Sequence, residues 1–332
     1  MRAIVVHEFG PPESLRVAEV PPPVPGPGEV LVETHAAPVN YVDMLVVAGT
    51  YQFLPLFPFI PGKGPAGVVT ALGPEVTTLH VGDRVLAMAE TGGYAEAVAV
   101  AADQCHRLPA RMTFAEAASL AVVYDTSWVA LRGRTRLAPG ESVLVLGASG
   151  GVGHAAVQLA RAMGAGRVLA GISRPEREAA VHANGADAII DLSRPDLRDS
   201  LRDQVYALTD GEGADIIIDP LGGEMFTAAI RALAWCGRLV VIGFAAGGIP
   251  TLRTNYLLLK NIEISGLQIT DYRKRRPAEL VTAYSEIFGF YELGLVKPAP
   301  AAVFPLERAG EALAALRDRR IDGRPVLRLR DD

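Results

Sequence analysis

The segment Glu141–Gly153, ESVLVLGASGGVG, constrains the fold of this chain more than any other. Ser142–Leu146 is a short apolar run rich in Val and Leu, the pattern of a strand covered on both faces. Gly147, Gly150, Gly151 and Gly153 follow, and His154–Met163 (HAAVQLARAM) then keeps a helical apolar face through Ala156, Val157, Leu159, Ala160 and Met163. Glycine permits the tight turn and lets backbone N–H groups approach a pyrophosphate at a helix N-terminus. A glycine cluster alone is equally an ordinary strand–helix turn. The strand before it and the helix after it favour a dinucleotide site made by Gly147, Ser149, Gly150, Gly151, Val152 and Gly153.

Strand and helix patterns alternate around this unit. Arg167–Ile172, Ala188–Asp191, Asp215–Asp219 and Gly237–Gly243 read as strands, and Pro175–Ala183, Leu197–Leu208 and Glu224–Leu233 as helices. Such alternation predicts a doubly wound parallel sheet, and Lys260–Leu267 reads as its last strand. The first hundred residues differ. Ala3–His7, Leu15–Val20, Val30–Ala36, Ala66–Leu72 and Gly92–Val100 read as short strands, interrupted by the stiff PPPVPGPGEV connection (Pro21–Val30), which gives a β-rich module with barrel-like turn spacing. Phe114–Leu131 reads as one alanine-rich helix, and the tail reads as helices Pro277–Gly289 and Glu307–Arg317 and a strand Arg324–Leu329. The expectation is an α/β chain with residues 1–122 and 266–332 forming the β-rich domain and residues 123–265 an inserted nucleotide-binding domain; a length of 332 residues suits two such domains.

Composition narrows the partners. Half the residues are hydrophobic and 21% are charged, enough for a large core. A net charge of −5 argues against nucleic acid or an anionic membrane as the main partner. Cys105 and Cys236 are the only cysteines, so neither a disulfide framework nor a four-cysteine zinc lobe is possible. The N-terminal MRAIVVHEFG lacks a basic-then-apolar signal pattern, and no run of about 18 apolar residues suggests a membrane span; a cytoplasmic protein is expected.

The second strand of a dinucleotide fold ends beside the adenosine ribose, about 20 residues past the last glycine. Here that strand ends at Ile172, and Ser173, Arg174, Pro175, Glu176 and Arg177 follow. An acidic residue in the pivotal slot would repel a 2′-phosphate; a hydroxyl and two guanidinium groups suit one. Ser173, Arg174 and Arg177 therefore favour NADPH (NADP) over NADH, the alternative being an exposed helix start decorated with charge.

Taken in order, several motifs carry a family likeness along nearly the whole chain. They are His7-Glu8-Phe9-Gly10-Pro11-Pro12-Glu13, Pro25-Gly26-Pro27-Gly28-Glu29-Val30, Asn40-Tyr41-Val42-Asp43 and Val81-Gly82-Asp83-Arg84-Val85. The glycine turn, Asp219-Pro220-Leu221-Gly222-Gly223 and Leu257-Leu258-Leu259-Lys260-Asn261 complete the set. The chain resembles the zinc-free, zeta-crystallin-like quinone oxidoreductases of the medium-chain dehydrogenase/reductase superfamily. That resemblance implies a GroES-like β-rich catalytic domain joined to a Rossmann nucleotide-binding domain. Where zinc enzymes of the superfamily have a cysteine this chain has Asn40, and where they have a His-Glu pair it has Lys63-Gly64, so no metal is implied.

By resemblance the activity is NADPH-dependent reduction of a small-molecule quinone or α,β-unsaturated carbonyl. Asn40, Asp43 and Tyr51 are the implied catalytic positions, with Asn40 donating to a carbonyl oxygen, Asp43 orienting its loop and Tyr51 positioning substrate or supplying a proton. Gly243, Asn255 and Leu267 are the implied neighbours of the nicotinamide half, and pairing of the last strand across a two-fold implies a homodimer. The pattern also departs from the family: Leu45 replaces a common tyrosine, Gly64 a common glutamate, and Asp191-Leu192 an Asn-Tyr pair, while Arg177 stands where lysine is common. Two other functions fit these features. One is an acrylyl- or enoyl-CoA reductase using the basic run Arg273-Lys274-Arg275-Arg276 at its mouth, although such a run also reads as a solvated loop. The other is an NADPH-binding protein without turnover.

Overall fold

The computed structural model describes residues 1–321 and 323–331. Two compact units account for the chain: Met1–Val122 with Tyr272–Tyr284 and Pro298–Asp332, and Val123–Asp271 with Ser285–Lys297.

The first unit begins with β1 (Arg2–Ile4) and β2 (Val17–Glu19), an antiparallel pair. Then come β3 (Glu29–Pro38), α1 (Tyr41–Val47), β4 (Ala66–Leu72), β5 (Arg84–Ala87), β6 (Ala97–Ala101), β7 (Cys105–Arg107) and α2 (Phe114–Leu120). In β3 every second side chain from Val30 to Thr34 is buried, the two-residue period of a strand with one covered face. Val30 and Val32 meet Val69, Val85, Val98 and Val100 in one core. This stiff β-branched packing sets the platform from which the loop at Asn40 leaves.

The second unit holds α3 (Val123–Trp128), β8 (Ser142–Leu146), α4 (Gly151–Ala162), β9 (Arg167–Ile172), α5 (Glu178–Ala183), β10 (Ala188–Asp191) and α6 (Leu197–Leu208). It continues with β11 (Ala214–Asp219), α7 (Gly223–Ala232), β12 (Leu233–Val241), α8 (Asn255–Lys260) and β13 (Glu263–Gly266). The strands form a parallel sheet in the order β10-β9-β8-β11-β12-β13. Val143 to Leu146 are fully buried, as the uninterrupted apolar run requires. From β8 the chain winds outward through β9 and β10, then returns to start β11 on the other side of β8. The switch point therefore lies between β8 and β11, where open α/β sheets bind ligands at the carboxyl ends of their strands.

The tail comprises α9 (Ile269–Arg275), α10 (Pro277–Glu292), β14 (Pro300–Pro305), α11 (Ala309–Arg317) and β15 (Arg324–Arg328). β15 closes on β3, giving the order β14-β15-β3-β4-β5-β7 with β6 also on β3. Ser285–Lys297 belongs to the second unit rather than the first. Within this segment Ile287 and Val296 are buried, and the Glu286 carboxylate accepts from Trp128 Nε1 at 2.6 Å and Arg132 Nη2 at 2.6 Å.

Three elements differ from the sequence expectation. The helix expected over Phe114–Leu131 breaks at Val122, whose φ of 69° is left-handed, a strained value for a β-branched residue. The strand expected over Lys260–Leu267 is instead the end of α8, a left-handed Asn261 cap at φ 52°, and then β13. The basic run is helical through Arg275 rather than a loop, with Arg273 only 3% exposed and Lys274, Arg275 and Arg276 exposed. β14 is bounded by two prolines, which hide its strand character in the sequence and which an edge strand tolerates. Among the described residues no helix is long and apolar enough to cross a membrane.

Candidate functional site

The glycine turn is built by close backbone contacts. Gly147 leaves β8 at φ 62°, and a Cβ there would press on Leu221 at 3.0 Å. The chain then doubles back, with Gly150 N donating to Gly147 O at 2.9 Å and Ala148 N to Gly171 O at 3.0 Å. Gly153 is the most confined position: its Cβ would stand 2.2 Å from Gly147 O and 2.7 Å from Ala148 Cα. Only glycine fits. The first regular helical bond of α4 runs from His154 N to Gly150 O at 2.8 Å, so the N–H groups of the preceding turn keep no intrahelical acceptor. N–H groups so placed at a helix N-terminus can receive an anion.

One of the arginines after β9 comes to the same place. Arg177 Nη1 donates to Ser149 Oγ at 3.2 Å, while Ser173 is exposed and Arg174 half-buried. From the other side of the switch point, Asp219 ends β11 and accepts from Leu221 N at 2.8 Å and Gly222 N at 2.9 Å. Burial pushes its carboxyl pKa up, against the pull of those two bonds. Asp219 thus fixes the loop whose Leu221 packs on Gly147. At Gly243 a Cβ would meet only Pro220 O at an ordinary 3.5 Å, so space alone does not demand glycine there. Asn255 is exposed at the start of α8, and Leu267 is buried just past β13 with its N–H on Val241 O at 2.9 Å.

In the first unit Asn40 and Asp43 are each only 2% exposed and cap α1. Asp43 Oδ2 accepts from Asn40 N at 3.1 Å, Asn40 Nδ2 at 2.8 Å and the Tyr94 hydroxyl at 3.0 Å. Asn40 Nδ2 also donates to Lys63 O at 3.2 Å, and Asn40 Oδ1 accepts from Arg324 Nη2 at 2.7 Å. Both amide hydrogens of Asn40 are therefore spent inside the protein, and the donor expected to face a carbonyl oxygen has none left. Burial raises the Asp43 pKa despite these bonds and the Lys63 charge, and burial also pushes the Tyr94 hydroxyl well above its usual range. Tyr51 is half-buried against the core of the α1 region, its ring edge-on to Phe53 at 6.2 Å.

Beside them Lys63 pairs with the Glu90 carboxylate, whose other oxygen accepts from Arg273 Nη1 at 2.8 Å. Burial pushes the Glu90 carboxyl up, but Arg273 and Lys63 outweigh it and hold it below the ordinary value. The Cys105-His106 pair is inert: burial pushes the thiol up to about 12 and the imidazole down to about 4, and His106 stacks on Tyr284 at 4.1 Å.

With this geometry in view, comparison with known proteins is decisive. The model of the alcohol dehydrogenase GroES-like domain matches residues 26–110, and that of the zinc-binding dehydrogenase matches residues 151–285. Rat quinone oxidoreductase-like protein 2 is 35% identical over 329 residues, 99% of this chain and 92% of the relative. The chain belongs to the quinone oxidoreductases of the medium-chain dehydrogenase/reductase superfamily. Among solved structures, mycobacterial Rv1454c complexed with NADPH matches with a TM-score of 0.91 and 30% identity over 99% of this chain and 100% of that one. Escherichia coli quinone oxidoreductase complexed with NADPH matches with a TM-score of 0.89 and 26% identity over 99% and 100% of the two chains.

Within this quinone oxidoreductase fold, sequence reading had not singled out Glu90, Arg273 or Arg324 as partners of the Asn40 region. Arg324 Nη2 bonds Asn40 Oδ1 and also Ala121 O at 3.0 Å, joining segments far apart in the chain. No local spacing encodes such a meeting. Tyr124 is buried with its hydroxyl on Gln158 Oε1 at 3.0 Å.

Proposed function

We propose that this protein is an NADPH-dependent oxidoreductase that reduces a quinone or an α,β-unsaturated carbonyl compound without zinc. The observation that carries the proposal is the glycine turn, packed so closely that a Cβ at Gly153 would stand 2.2 Å from Gly147 O, and followed by a helix whose first N–H groups have no intrahelical acceptor. The NADPH complexes of two structural relatives support the same cofactor. Gly147, Ser149, Gly150, Gly151, Val152 and Gly153 would hold the pyrophosphate, Ser173, Arg174 and Arg177 the 2′-phosphate, and Gly243, Asn255 and Leu267 the nicotinamide half. Bound there, the reduced nicotinamide supplies the two electrons of the reaction.

The chain's own residues position the acceptor. Asn40 and Asp43 act by holding the loop that leads to Tyr51, and Tyr51 offers a half-buried phenol for substrate contact. Zinc has no part in the proposed reaction. An amide and a lysine stand where zinc enzymes carry ligands, and among the described residues no group of three or more His, Cys, Asp or Glu side chains could hold a metal. The proposed quaternary state is a cytoplasmic homodimer joined through β13, an edge strand of the parallel sheet. Sedimentation as a monomer at micromolar concentration would remove that part of the proposal.

Steady NADPH oxidation with 1,4-benzoquinone or 9,10-phenanthrenequinone, and none with crotonyl-CoA, is the expected outcome. The reverse selectivity would favour the enoyl-CoA reductase, for which Lys274, Arg275 and Arg276 are exposed while Arg273 is buried against Glu90. Tight NADPH binding with no turnover across quinones, enones and enoyl thioesters would favour a binding protein.

A further inference from the structure

We propose that the Lys63 ammonium donates the hydrogen bond that stabilises the negative oxygen of the acceptor as it is reduced, the part that resemblance gives to Asn40. This rests on the NADPH-dependent reduction proposed above and names its electrostatic catalyst.

Lys63 sits on a closely packed turn. Gly62 at φ 96° and Gly64 at φ 70° flank it, and a Cβ on the first would lie 2.3 Å from the Tyr94 ring and on the second 2.7 Å from Ala121 Cβ. The lysine is 8% exposed. An ammonium carries three N–H donors. Two go to Glu90, one to its carbonyl at 3.2 Å and one to its carboxylate, and the third has no partner among the described residues. The Glu90 carboxylate is shared with Arg273, so Lys63 does not own its counter-ion.

The neighbouring donors are committed elsewhere. Asn40 Nδ2 serves Asp43 and Lys63 O, and the Tyr94 hydroxyl serves Asp43. A buried ammonium with an unmet donor and a shared counter-ion is a poor device for stability, because desolvation of the charge is incompletely repaid. It is a good device for an anion that exists only during turnover, since a fixed donor in a water-poor site need not reorganise when charge develops.

The step balances without a proton from lysine. A hydrogen with two electrons passes from NADPH to the acceptor, leaving NADP⁺ and negative charge on the acceptor oxygen. Lys63 holds that oxygen until water delivers a proton to it.

The test uses the full-length enzyme with NADPH and 9,10-phenanthrenequinone. Lys63→Met is expected to lose about 100-fold in kcat, the size of one lost oxyanion donor, while KM and the NADPH Kd stay near wild type. Lys63→Arg should keep most of the rate, and ethylammonium should restore part of it to Lys63→Ala. Glu90→Gln, which breaks the ion pair but leaves the ammonium, should lose less than about tenfold in kcat, because the donor to the oxygen remains. Independently of turnover, 4-nitrophenol bound to the wild type should ionise at lower pH than when bound to Lys63→Met.

An unimpaired kcat in Lys63→Met would overturn the proposal. So would equal losses in Lys63→Met and Glu90→Gln without amine rescue, which would make Lys63 a structural ion-pair partner. A wild type that reduces no acceptor at all refutes the reduction itself. The 4-nitrophenol shift then still decides whether Lys63 stabilises an oxyanion, and its absence counts against that role.

Discussion

Gly153→Ala is the sharpest perturbation of the cofactor turn. The added Cβ would lie 2.2 Å from Gly147 O and 2.7 Å from both Gly147 C and Ala148 Cα. Ordinary non-bonded contacts are about 3.5 Å, so the overlap approaches about 1 Å against three atoms at once. All three belong to backbone, and relief requires the turn itself to move. Overpacking of this kind costs about 1–3 kcal/mol, and the absence of a yielding side chain places Gly153→Ala at the upper end. For a domain of this size each kcal/mol lowers Tm by about 2–4 °C, which gives a loss of roughly 6–12 °C.

The same displacement turns the N–H groups of the α4 N-terminus away from the pyrophosphate. A charge-assisted hydrogen bond is worth about 1.5–3 kcal/mol, so losing one weakens NADPH binding by about 10- to 100-fold. Thermal unfolding and titration of nicotinamide fluorescence measure the two effects separately. Gly150→Ala is the internal control. Its Cβ would meet only Gly147 O at 3.4 Å, so its cost should stay near that of an alanine N-cap, about 1 kcal/mol or less. If Gly153→Ala kept the wild-type Tm and NADPH Kd, or if Gly150→Ala were the more damaging of the two, the close-approach argument would fail.

Other outcomes test the rest. The double change Arg174→Ala with Arg177→Ala should weaken NADPH far more than NADH; equal weakening would sink the 2′-phosphate assignment. Glu90 titrates below its unfolded value, so its stabilising contribution is complete above about pH 5 and is lost as pH falls through the folded value. The stability gap between wild type and Glu90→Gln should therefore narrow on acidification, and a gap that widens in acid, followed by denaturant unfolding, would contradict the Lys63–Glu90–Arg273 assignment. Breaking the Asn40–Arg324 bond with Arg324→Met should destabilise the protein by about 2–3 kcal/mol, because it strands a buried acceptor, and should raise KM for the acceptor as the α1 loop loosens. An unchanged Tm would refute that role.

Local patterns carried much of the fold. β8, β9, β10, α6 and β4 lie where the apolar period and turn residues put them, because their hydrogen bonds and burial are decided within a few neighbouring residues. Where one residue had to adopt an unusual backbone, local reading failed. Val122 breaks an apparently continuous helical pattern at φ 69°, and Asn261 ends α8 inside what looked like a strand. Hydrophobic period carries no signal for a left-handed residue that is neither glycine nor next to one.

The glycine turn divides in the same way. Its existence and its place between a buried strand and a helix follow from residue order, since glycine spacing and the apolar run fix them locally. Only the folded chain brings Arg177 onto Ser149, sets Asp219 to hold Leu221 against Gly147, and spends both hydrogens of Asn40 on Asp43 and Lys63. The Asn40–Lys63 and Ser149–Arg177 contacts join residues 23 and 28 apart, and Arg324 reaches Asn40 across 284. Sequence determined which residue types were available for the site. Which of them remain free to act was decided by tertiary packing, because a donor's capacity is set by what else lies within about 3 Å of it.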